Sequence, residues 1–371
     1  MSQAKSREYQ FDFSSLQEYG VKRIGELNPY ITLACDLRCG YCYMFNFLAK
    51  ALDQTQVIHP DFLFSLVNYL CVMAGGNLDR DTLLGGEPTL HPNITEIANT
   101  LADFPIAERR MTTNGISLHN LRLEDLRSDA FDHISVSIDG ATAETNDKTR
   151  GQKTFEKILA TIRNYIDAGI KVSVNYTVTT SNLNSLVDAI RFFYTMGVTI
   201  VNFHRASLVG NVHNHQNLLS SPLGWVKARD ELFDFIETHS SDFSGLKIRI
   251  PYTFLTPAQM VEFNYRPIQQ QNYHSPDGGH RMIVFPPTEK GKGLCYMSSD
   301  LIGVPDAHLG NLHEDGRFTF NSHPDNELVA YHRLGANNVS TMLTGQEQEI
   351  EVDKQNHLYR VSHSFKRVYQ L

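Results

Sequence analysis

The stretch Asn28-Pro-Tyr-Ile-Thr-Leu-Ala-Cys35-Asp-Leu-Arg-Cys39-Gly-Tyr-Cys42 places three cysteines directly after a short apolar segment. Residues 28–34 are predicted to form a β-strand, because Tyr, Ile, Thr and Leu favour an extended backbone. Three thiolates on one short loop can ligate three corners of a cubane iron–sulfur cluster and leave the fourth iron open to a small molecule. The sequence therefore predicts a metal centre on Cys35, Cys39 and Cys42.

A zinc site is the alternative interpretation of the same cysteines, with Cys71 as the fourth thiolate. Zinc sites usually combine paired two-residue spacings, whereas the spacing here is three residues and then two. Cys71 also lies in an apolar helical pattern, where a small buried thiol is expected. The five cysteines are odd in number and three of them are clustered, so they do not resemble a disulfide framework.

Strand-like and helical segments alternate through the first two thirds of the chain. This alternation predicts βα units and a parallel sheet, and six strands are fewer than the eight of a complete barrel. We therefore predict an α/β fold, a partial (βα)6 TIM barrel with a small C-terminal α+β region. Further strands are predicted at 81–84, 109–113, 131–138, 172–178 and 199–204, and helices at 61–73, 94–101, 155–168, 183–196 and 223–237.

Three regions are predicted from the change of pattern along the chain. Residues 1–25 are polar and mixed, which indicates a loosely held N-terminal extension. Residues 26–245 hold the alternating pattern and form the core domain. Residues 246–371 are richer in Pro, Gly, His and Gln and form a small C-terminal cap.

Polar and glycine-rich motifs follow the predicted strands, at the end of the sheet where α/β folds place their active sites. In their order, and together with the cysteine spacing, these motifs resemble the signature of the radical SAM superfamily. The resemblance covers roughly residues 26 to 245 and is nearest to the branch of sulfatase-maturing enzymes and peptide maturases. The motifs are Cys35-x3-Cys39-x-Tyr41-Cys42, Gly85-Gly86-Glu87-Pro88, Thr112-Thr113-Asn114-Gly115, Ser135-Val-Ser137-Ile-Asp139-Gly140 and Thr149-Arg150-Gly151.

The resemblance implies two cofactors, one [4Fe-4S] cluster on the three cysteines and S-adenosylmethionine chelated to its open iron. Glycines without Cβ atoms let the backbone approach the methionine moiety, and an arginine can bind its carboxylate bidentately. The implied contacts are Tyr41 with the adenine, Gly85 and Gly86 with the methionine, Glu87 with its ammonium group, Asn114 and Ser137 with the ribose and nearby polar atoms, Arg150 with the carboxylate, and Asn175 as a further polar contact.

The implied activity is reductive cleavage of S-adenosylmethionine to a 5′-deoxyadenosyl radical, which abstracts hydrogen from a substrate. The electron is expected from a flavodoxin- or ferredoxin-type protein. The branch implies a ribosomally made precursor peptide that undergoes cross-linking, epimerisation or backbone excision, with a possible separate peptide-recognition protein. A radical SAM enzyme that acts on a free small molecule and a non-catalytic zinc or iron–sulfur binding module are the alternatives.

Members of this branch often carry a C-terminal SPASM or shorter twitch domain with auxiliary clusters. Residues 293–296 and 309–316 resemble a degenerate remnant in which only Cys295 remains, so a single cluster is expected. Cys295 is a candidate hydrogen donor, with a buried structural thiol as the alternative. His204 and Arg205 end the sixth predicted strand and are the candidate substrate contacts.

Composition excludes some classes of partner. Lys and Arg number 33 against 41 Asp and Glu, and a net charge of -8 offers no electrostatic surface for nucleic acid or an anionic membrane. No run approaches the ~18 apolar residues that span a bilayer. The first residues lack the apolar core of a signal peptide. The sequence thus predicts a cytoplasmic protein.

Overall fold

The computed structural model describes residues 9–48, 56–263, 279–286, 292–334, 353–361 and 366–371. The strands are β1 (Arg23–Pro29), β2 (Arg80–Leu83), β3 (Arg109–Thr113), β4 (His133–Ser137), β5 (Val172–Val178), β6 (Ile200–Arg205), β7 (Lys247–Pro251), β8 (Phe254–Leu255), β9 (Gly279–Val284), β10 (Lys292–Tyr296), β11 (Gly310–His313), β12 (Phe318–Phe320), β13 (Tyr359–Arg360) and β14 (Lys366–Gln370). The helices are α1 (Pro60–Met73), α2 (Ile94–Leu101), α3 (Ala143–Arg150), α4 (Phe155–Asp167), α5 (Leu186–Thr195), α6 (Pro222–Thr238), α7 (Pro257–Glu262) and α8 (Glu327–Leu334).

One twelve-stranded sheet organises the described residues, in the order β12-β11-β10-β9-β1-β2-β3-β4-β5-β6-β7-β14. Strands β1 to β7 are successive parallel neighbours, and β9 pairs parallel to the free side of β1. The prediction of an α/β fold with a partial parallel barrel is confirmed. The parallel sheet continues past residue 245, because β7 pairs with β6 beyond that point.

Helix starts follow ordinary capping chemistry. Helix α6 begins with Pro222 after Ser221, whose hydroxyl accepts a hydrogen bond from the Gly224 N–H at 3.1 Å. The apolar faces of the helices then pack against one face of the sheet, where Ile158, Phe193 and other large side chains are fully buried. That face is the hydrophobic core, so polar side chains on the strands are left to line the barrel interior.

The N-terminal segment differs from the prediction of a loosely held extension. Phe13 and Leu16 are buried, and the Phe13 ring lies 4.9 Å from that of Phe318. The Gln10 N–H also donates to the Asp315 carbonyl at 2.9 Å. For residues 9–25 the prediction was wrong, because aromatic residues spaced among polar ones show no periodicity that would reveal their packing; residues 1–8 lie outside the described residues.

Asp81 on β2 is a buried carboxylate that makes stability depend on pH. Its side chain is 1% exposed, and both oxygens lack a hydrogen-bond partner among the described residues. Burial raises the pKa of Asp81 to about 8, against the partly compensating charge of Arg109 on β3. The folded protein therefore holds a proton that the unfolded chain releases above its pKa of 3.8.

We expect the free energy of unfolding to fall as pH rises from 4 to 8, by up to about 1.4 kcal/mol per pH unit from this group. Asp81→Asn should remove that part of the slope and raise stability at pH 8, since a neutral amide carries no desolvated charge. Urea midpoints of the wild type and the variant, measured from pH 5 to 8, test this. Parallel slopes in the two proteins would contradict it.

Candidate functional site

The loop of residues 35–42, here called the cysteine loop, lies at the carboxyl end of the sheet, and the segment that leads into it is held by the Gly85-Gly86-Glu87 turn after β2. The Gly86 N–H donates to the Thr32 carbonyl at 2.8 Å, and the Glu87 N–H donates to the Ala34 carbonyl at 2.7 Å. A Cβ atom on Gly86 would lie 2.2 Å from the Ala34 oxygen. Glycine is therefore required for the close approach of this turn to the segment that leads into Cys35.

Glu87 links two of the predicted motifs from a fully buried position. Its Oε1 accepts from the Thr89 and Thr113 hydroxyls, each at 2.7 Å, and its Oε2 accepts from the Asn114 N–H at 2.6 Å. Burial raises the pKa of Glu87, and these hydrogen bonds oppose the rise. The carboxylate thus joins the glycine turn to the end of β3, and its predicted contact with the methionine ammonium stays a prediction.

Asp36, inside the cysteine loop, is a functional candidate that the sequence reasoning missed. Its carboxylate accepts from the Asn114 side-chain amide at 2.6 Å and lies 3.1 Å from Nε2 of His119. Asn114 therefore anchors the loop, in addition to its predicted ribose contact. The position of Asp36 between two cysteines could have indicated this anchoring role, because an ionised side chain in a tight loop needs a partner.

Tyr41, between the second and third cysteines, is held by residues that follow β4, at the same carboxyl end of the sheet. Its hydroxyl donates to the Asp139 carboxylate after β4 and accepts from Nη1 of Arg150 at 2.6 Å. Asp139 also accepts from the Thr149 hydroxyl at 3.0 Å and the Thr177 N–H at 2.9 Å. Three motifs thus converge on one buried network, while the predicted contacts of Tyr41 and Arg150 with S-adenosylmethionine stay predictions.

The segment after β6 also holds the cysteine loop through hydrogen bonds. The Asn211 N–H donates to the Cys42 carbonyl at 2.9 Å, and its side-chain amide donates to the Cys39 carbonyl at 3.0 Å. Gly210 has a φ of +57°, and a Cβ there would lie 2.4 Å from the Cys42 oxygen. Sequence reasoning missed both residues, because they follow no recognised motif.

The thiols themselves fit an iron–sulfur cluster. Cys35 Sγ accepts from the Leu37 N–H at 3.4 Å, and burial raises the pKa of Cys39 and of Cys42, a rise that the nearby charge of Arg150 partly opposes. Burial raises the pKa of Cys35 and of Cys42 to about 12, so the metal-free thiols hold protons that iron would displace. Loop N–H groups and a nearby cation are the usual supports of a cluster held by thiolates.

The zinc alternative required Cys71 as a fourth ligand. Cys71 instead lies in α1 within the main hydrophobic core, with Sγ 3.9 Å from the Pro105 carbonyl. Within the ranges that the structure describes, no three His, Cys, Asp or Glu side chains converge on one position suited to a single metal ion. A cubane differs in this respect, because its ligands attach to separate corners of the cluster.

The interior face of the barrel carries small polar side chains. Ser135 and Ser173 hydroxyls lie 2.6 Å apart, and the Asn202 amide donates to Asn175 Oδ1 at 3.1 Å. Asn175 therefore faces the interior, and its predicted contact with S-adenosylmethionine stays a prediction. Ser137 lies two residues beyond Ser135 on β4 and shares its face.

His204 and Arg205 separate in the structure. His204 shares the face of Asn202 and is exposed, which is compatible with a substrate contact. Arg205 is buried on the opposite face, over the Phe254 ring at 5.0 Å and 2.5 Å from the Ser220 carbonyl. The prediction that Arg205 faces the cavity was wrong, because successive strand side chains alternate between faces.

Cys295 lies on β10, where it pairs with Val284 on β9 and Gly310 on β11. Its side chain is fully buried in the main core, and burial raises the pKa of its thiol. The structure therefore favours the structural thiol over the hydrogen donor.

The comparison with protein families finds the Radical SAM superfamily over residues 30–193. A curated relative from Sulfurisphaera tokodaii, a probable GTP 3′,8-cyclase, is 26% identical over 222 residues, which are 59% of this chain and 68% of that protein. The GTP 3′,8-cyclase of Aquifex aeolicus is 29% identical over 177 residues, 46% of this chain and 53% of its own length. The chain thus spans between 53% and 68% of the length of these relatives.

Solved structures share the fold at low identity. Streptococcus suis SuiB bound to S-adenosylmethionine has a TM-score of 0.60 at 15% identity, with 80% of this chain and 65% of that chain covered. SuiB bound to its precursor peptide SuiA has a TM-score of 0.58 at 14% identity, over 79% and 63%. Native anSMEcpe with bound AdoMet has a TM-score of 0.57 at 16% identity, over 86% and 82%.

Motifs, geometry and comparisons agree. The structure also describes no helix that is both long and apolar enough to cross a membrane. Residues 30–193 form a radical SAM domain, and enzymes with this domain use a [4Fe-4S] cluster and S-adenosylmethionine.

Proposed function

We propose that this enzyme holds its cluster on Cys35, Cys39 and Cys42 and abstracts hydrogen from a peptide during its maturation. The observation that carries the proposal is the cysteine loop, which four strand-end segments fasten over the polar barrel interior. When bound, the cluster and S-adenosylmethionine supply a 5′-deoxyadenosyl radical. A flavodoxin- or ferredoxin-type reductant and a separate peptide-recognition protein belong to the same proposal.

The chain's own residues hold the cysteine loop in place and line the space beneath it. Glu87, Asp36 and Asp139 restrain the loop, so its thiols keep one arrangement while S-adenosylmethionine enters and leaves. The glycine turn and the ends of β3 to β5 surround the space beneath the loop, where the predicted S-adenosylmethionine contacts would lie. Ser137 and Asn175 line that space with hydrogen-bonding groups, and His204 lies near its exit.

Two facts support a peptide. The fold shared with SuiB and anSMEcpe covers 79% to 86% of this chain, well beyond the radical SAM domain alone. SuiB has been solved with a bound precursor peptide. The wider resemblance to these proteins is the reason to place a peptide first.

A phosphorylated small molecule is the second candidate. The curated relatives are named GTP 3′,8-cyclases, and they match across the radical SAM domain. Four arginines that face the barrel interior also favour a compact anionic substrate: Arg80, Arg110, Arg249 and Arg281.

Anaerobically reconstituted enzyme, given S-adenosylmethionine and dithionite, tests the proposal. The assay quantifies 5′-deoxyadenosine alone, with GTP, and with synthetic short peptides encoded beside the enzyme's gene. We expect 5′-deoxyadenosine in every arm, and a peptide that raises its rate several-fold and changes its own mass. Stimulation by GTP alone would replace the peptide with the second candidate, and no 5′-deoxyadenosine in any arm would refute the radical chemistry.

A further inference from the structure

The basic layer, the four arginines just named, lies toward the N-terminal ends of the strands, opposite the cysteine loop. Glu26 on β1 accepts from Arg80 at 2.8 Å and from Arg281 at 3.2 Å. Glu108, just before β3, accepts from Arg80 at 2.9 Å and also from Arg110. The layer therefore surrounds these two carboxylates from three strands.

Positive charge exceeds negative charge here. Arg249 on β7 donates to the Asn202 side chain at 3.1 Å and has no carboxylate in that bond, so the layer contains four guanidinium groups and two carboxylates. Burial lowers the pKa of Arg110, and the charges of Arg80 and Arg249 lower it further. A cation whose neighbours disfavour its charge marks a place where an added anion would be stabilised.

One buried group in the layer still lacks a partner. His133 on β4 is 5% exposed, with Nδ1 3.6 Å from the Glu108 carboxylate. Its Nε2 has no hydrogen-bond partner in the part of the chain that the structure describes. Burial lowers the pKa of His133 to about 4, so it is neutral near pH 7. A buried ring nitrogen without a partner costs free energy that a bound polar group would recover.

The layer is accessible and suitably placed. The side chains of Arg281 and Arg80 are 35% and 30% exposed, so a ligand can reach them. Tyr30, four residues after Glu26, has its hydroxyl 2.6 Å from that of Tyr43, next to Cys42. Four residues of extended chain span about 13 Å. A substrate of that length can contact the layer at one end and lie beneath the cysteine loop at the other.

We infer that the basic layer binds an anionic group of the substrate, a carboxylate or a phosphate, and so positions the reacting carbon under the cysteine loop. This inference rests on the proposed function, because it assigns the substrate to the barrel interior. Planar guanidinium groups bind both kinds of oxyanion through paired hydrogen bonds. The charge excess and the unpartnered His133 distinguish this layer from a closed ion-pair network.

The test is anion binding without turnover. The reconstituted full-length enzyme with S-adenosylmethionine, and without reductant, is titrated by calorimetry at constant ionic strength with inorganic pyrophosphate and with triglutamate. We expect Arg249→Gln to weaken binding about tenfold, since it removes a charge-assisted hydrogen bond. Glu26→Gln should tighten binding about threefold, because it removes a competing carboxylate. Arg127→Gln, on an exposed ion pair with Asp103 and Asp129, is the matched control and should change nothing.

Binding of pyrophosphate alone would assign the layer to a phosphate, and binding of triglutamate would assign it to a carboxylate. Binding of neither probe, or equal losses in Arg249→Gln and Arg127→Gln, would overturn the inference. The opposite signs expected for Arg249→Gln and Glu26→Gln separate a binding role from a loss of folding. Substrate-free 5′-deoxyadenosine formation is measured on the same samples, so failure of the radical chemistry is recognised separately from failure of anion binding.

Discussion

Cys39→Ala is expected to abolish 5′-deoxyadenosine formation and to leave a protein that cannot be reconstituted to about four irons per chain. A cubane held by three thiolates loses the ligand at one corner when a cysteine is removed, and the two thiolates that remain retain it poorly. Loss of a side chain that supports a metal ligand already lowers metal affinity or activity about 10- to 100-fold. Loss of the ligand itself should therefore lower 5′-deoxyadenosine formation by more than about 100-fold. Iron content, the visible absorption spectrum and 5′-deoxyadenosine yield are measured anaerobically.

The matched control for this experiment is Cys71→Ala. Cys71 is buried, whereas Cys39 is partly exposed, and Cys71 packs in the main core on α1 rather than on the cysteine loop. We expect the control to keep its iron and its 5′-deoxyadenosine yield while its stability falls modestly, as for a small core truncation. A brown Cys39→Ala protein with full iron would exclude Cys39 as a ligand. Loss of metal in Cys71→Ala would restore the zinc interpretation.

The convergence of the motifs could be predicted from the sequence, for one physical reason. Parallel strands bring their carboxyl ends to one edge of a sheet, so motifs far apart in the chain meet there. Asn114 after β3 and Asp139 after β4 both bond to the cysteine loop, as that rule requires. The motifs did not reveal which groups each side chain contacts. Glu87 and Asp139 accept hydrogen bonds from neighbouring segments of the chain.

Other features were not predictable by the same reasoning. Helix α3, with the sequence Ala-Glu-Thr-Asn-Asp-Lys-Thr-Arg, has no apolar stripe, so no periodicity indicates it, yet it carries Thr149 and Arg150 into the site. Strand β9 pairs with β1 across more than 250 residues, and local pattern contains no information about such a partner. The orientation of Arg205 could have been predicted from the sequence, since successive residues of a strand point to opposite faces and cannot both face one cavity.

Asp139→Asn is expected to destabilise the enzyme strongly and to weaken its hold on the cluster. Asp139 is fully buried, and its carboxylate lies 3.7 Å from Nη1 of Arg150, a side chain that is 5% exposed. Removing one partner of a buried ion pair leaves the other charge uncompensated, at a cost of about 3–5 kcal/mol. In the wild type the hydroxyls of Tyr41 and Thr149 both donate to the Asp139 carboxylate. An amide N–H group at that position would face these donors instead of accepting from them.

The measurements are the urea midpoint of the metal-free protein and the iron retained after reconstitution. Asp129→Asn, at an exposed ion pair with Arg127, is the control and should change neither quantity. The double variant Asp139→Asn/Arg150→Met should recover much of the lost stability, because it removes both buried charges. It should not recover iron retention, since Tyr41 then lacks both of the partners that hold it between Cys39 and Cys42. Full iron in the double variant would show that the network serves stability alone, and that the cysteine loop keeps its shape without it.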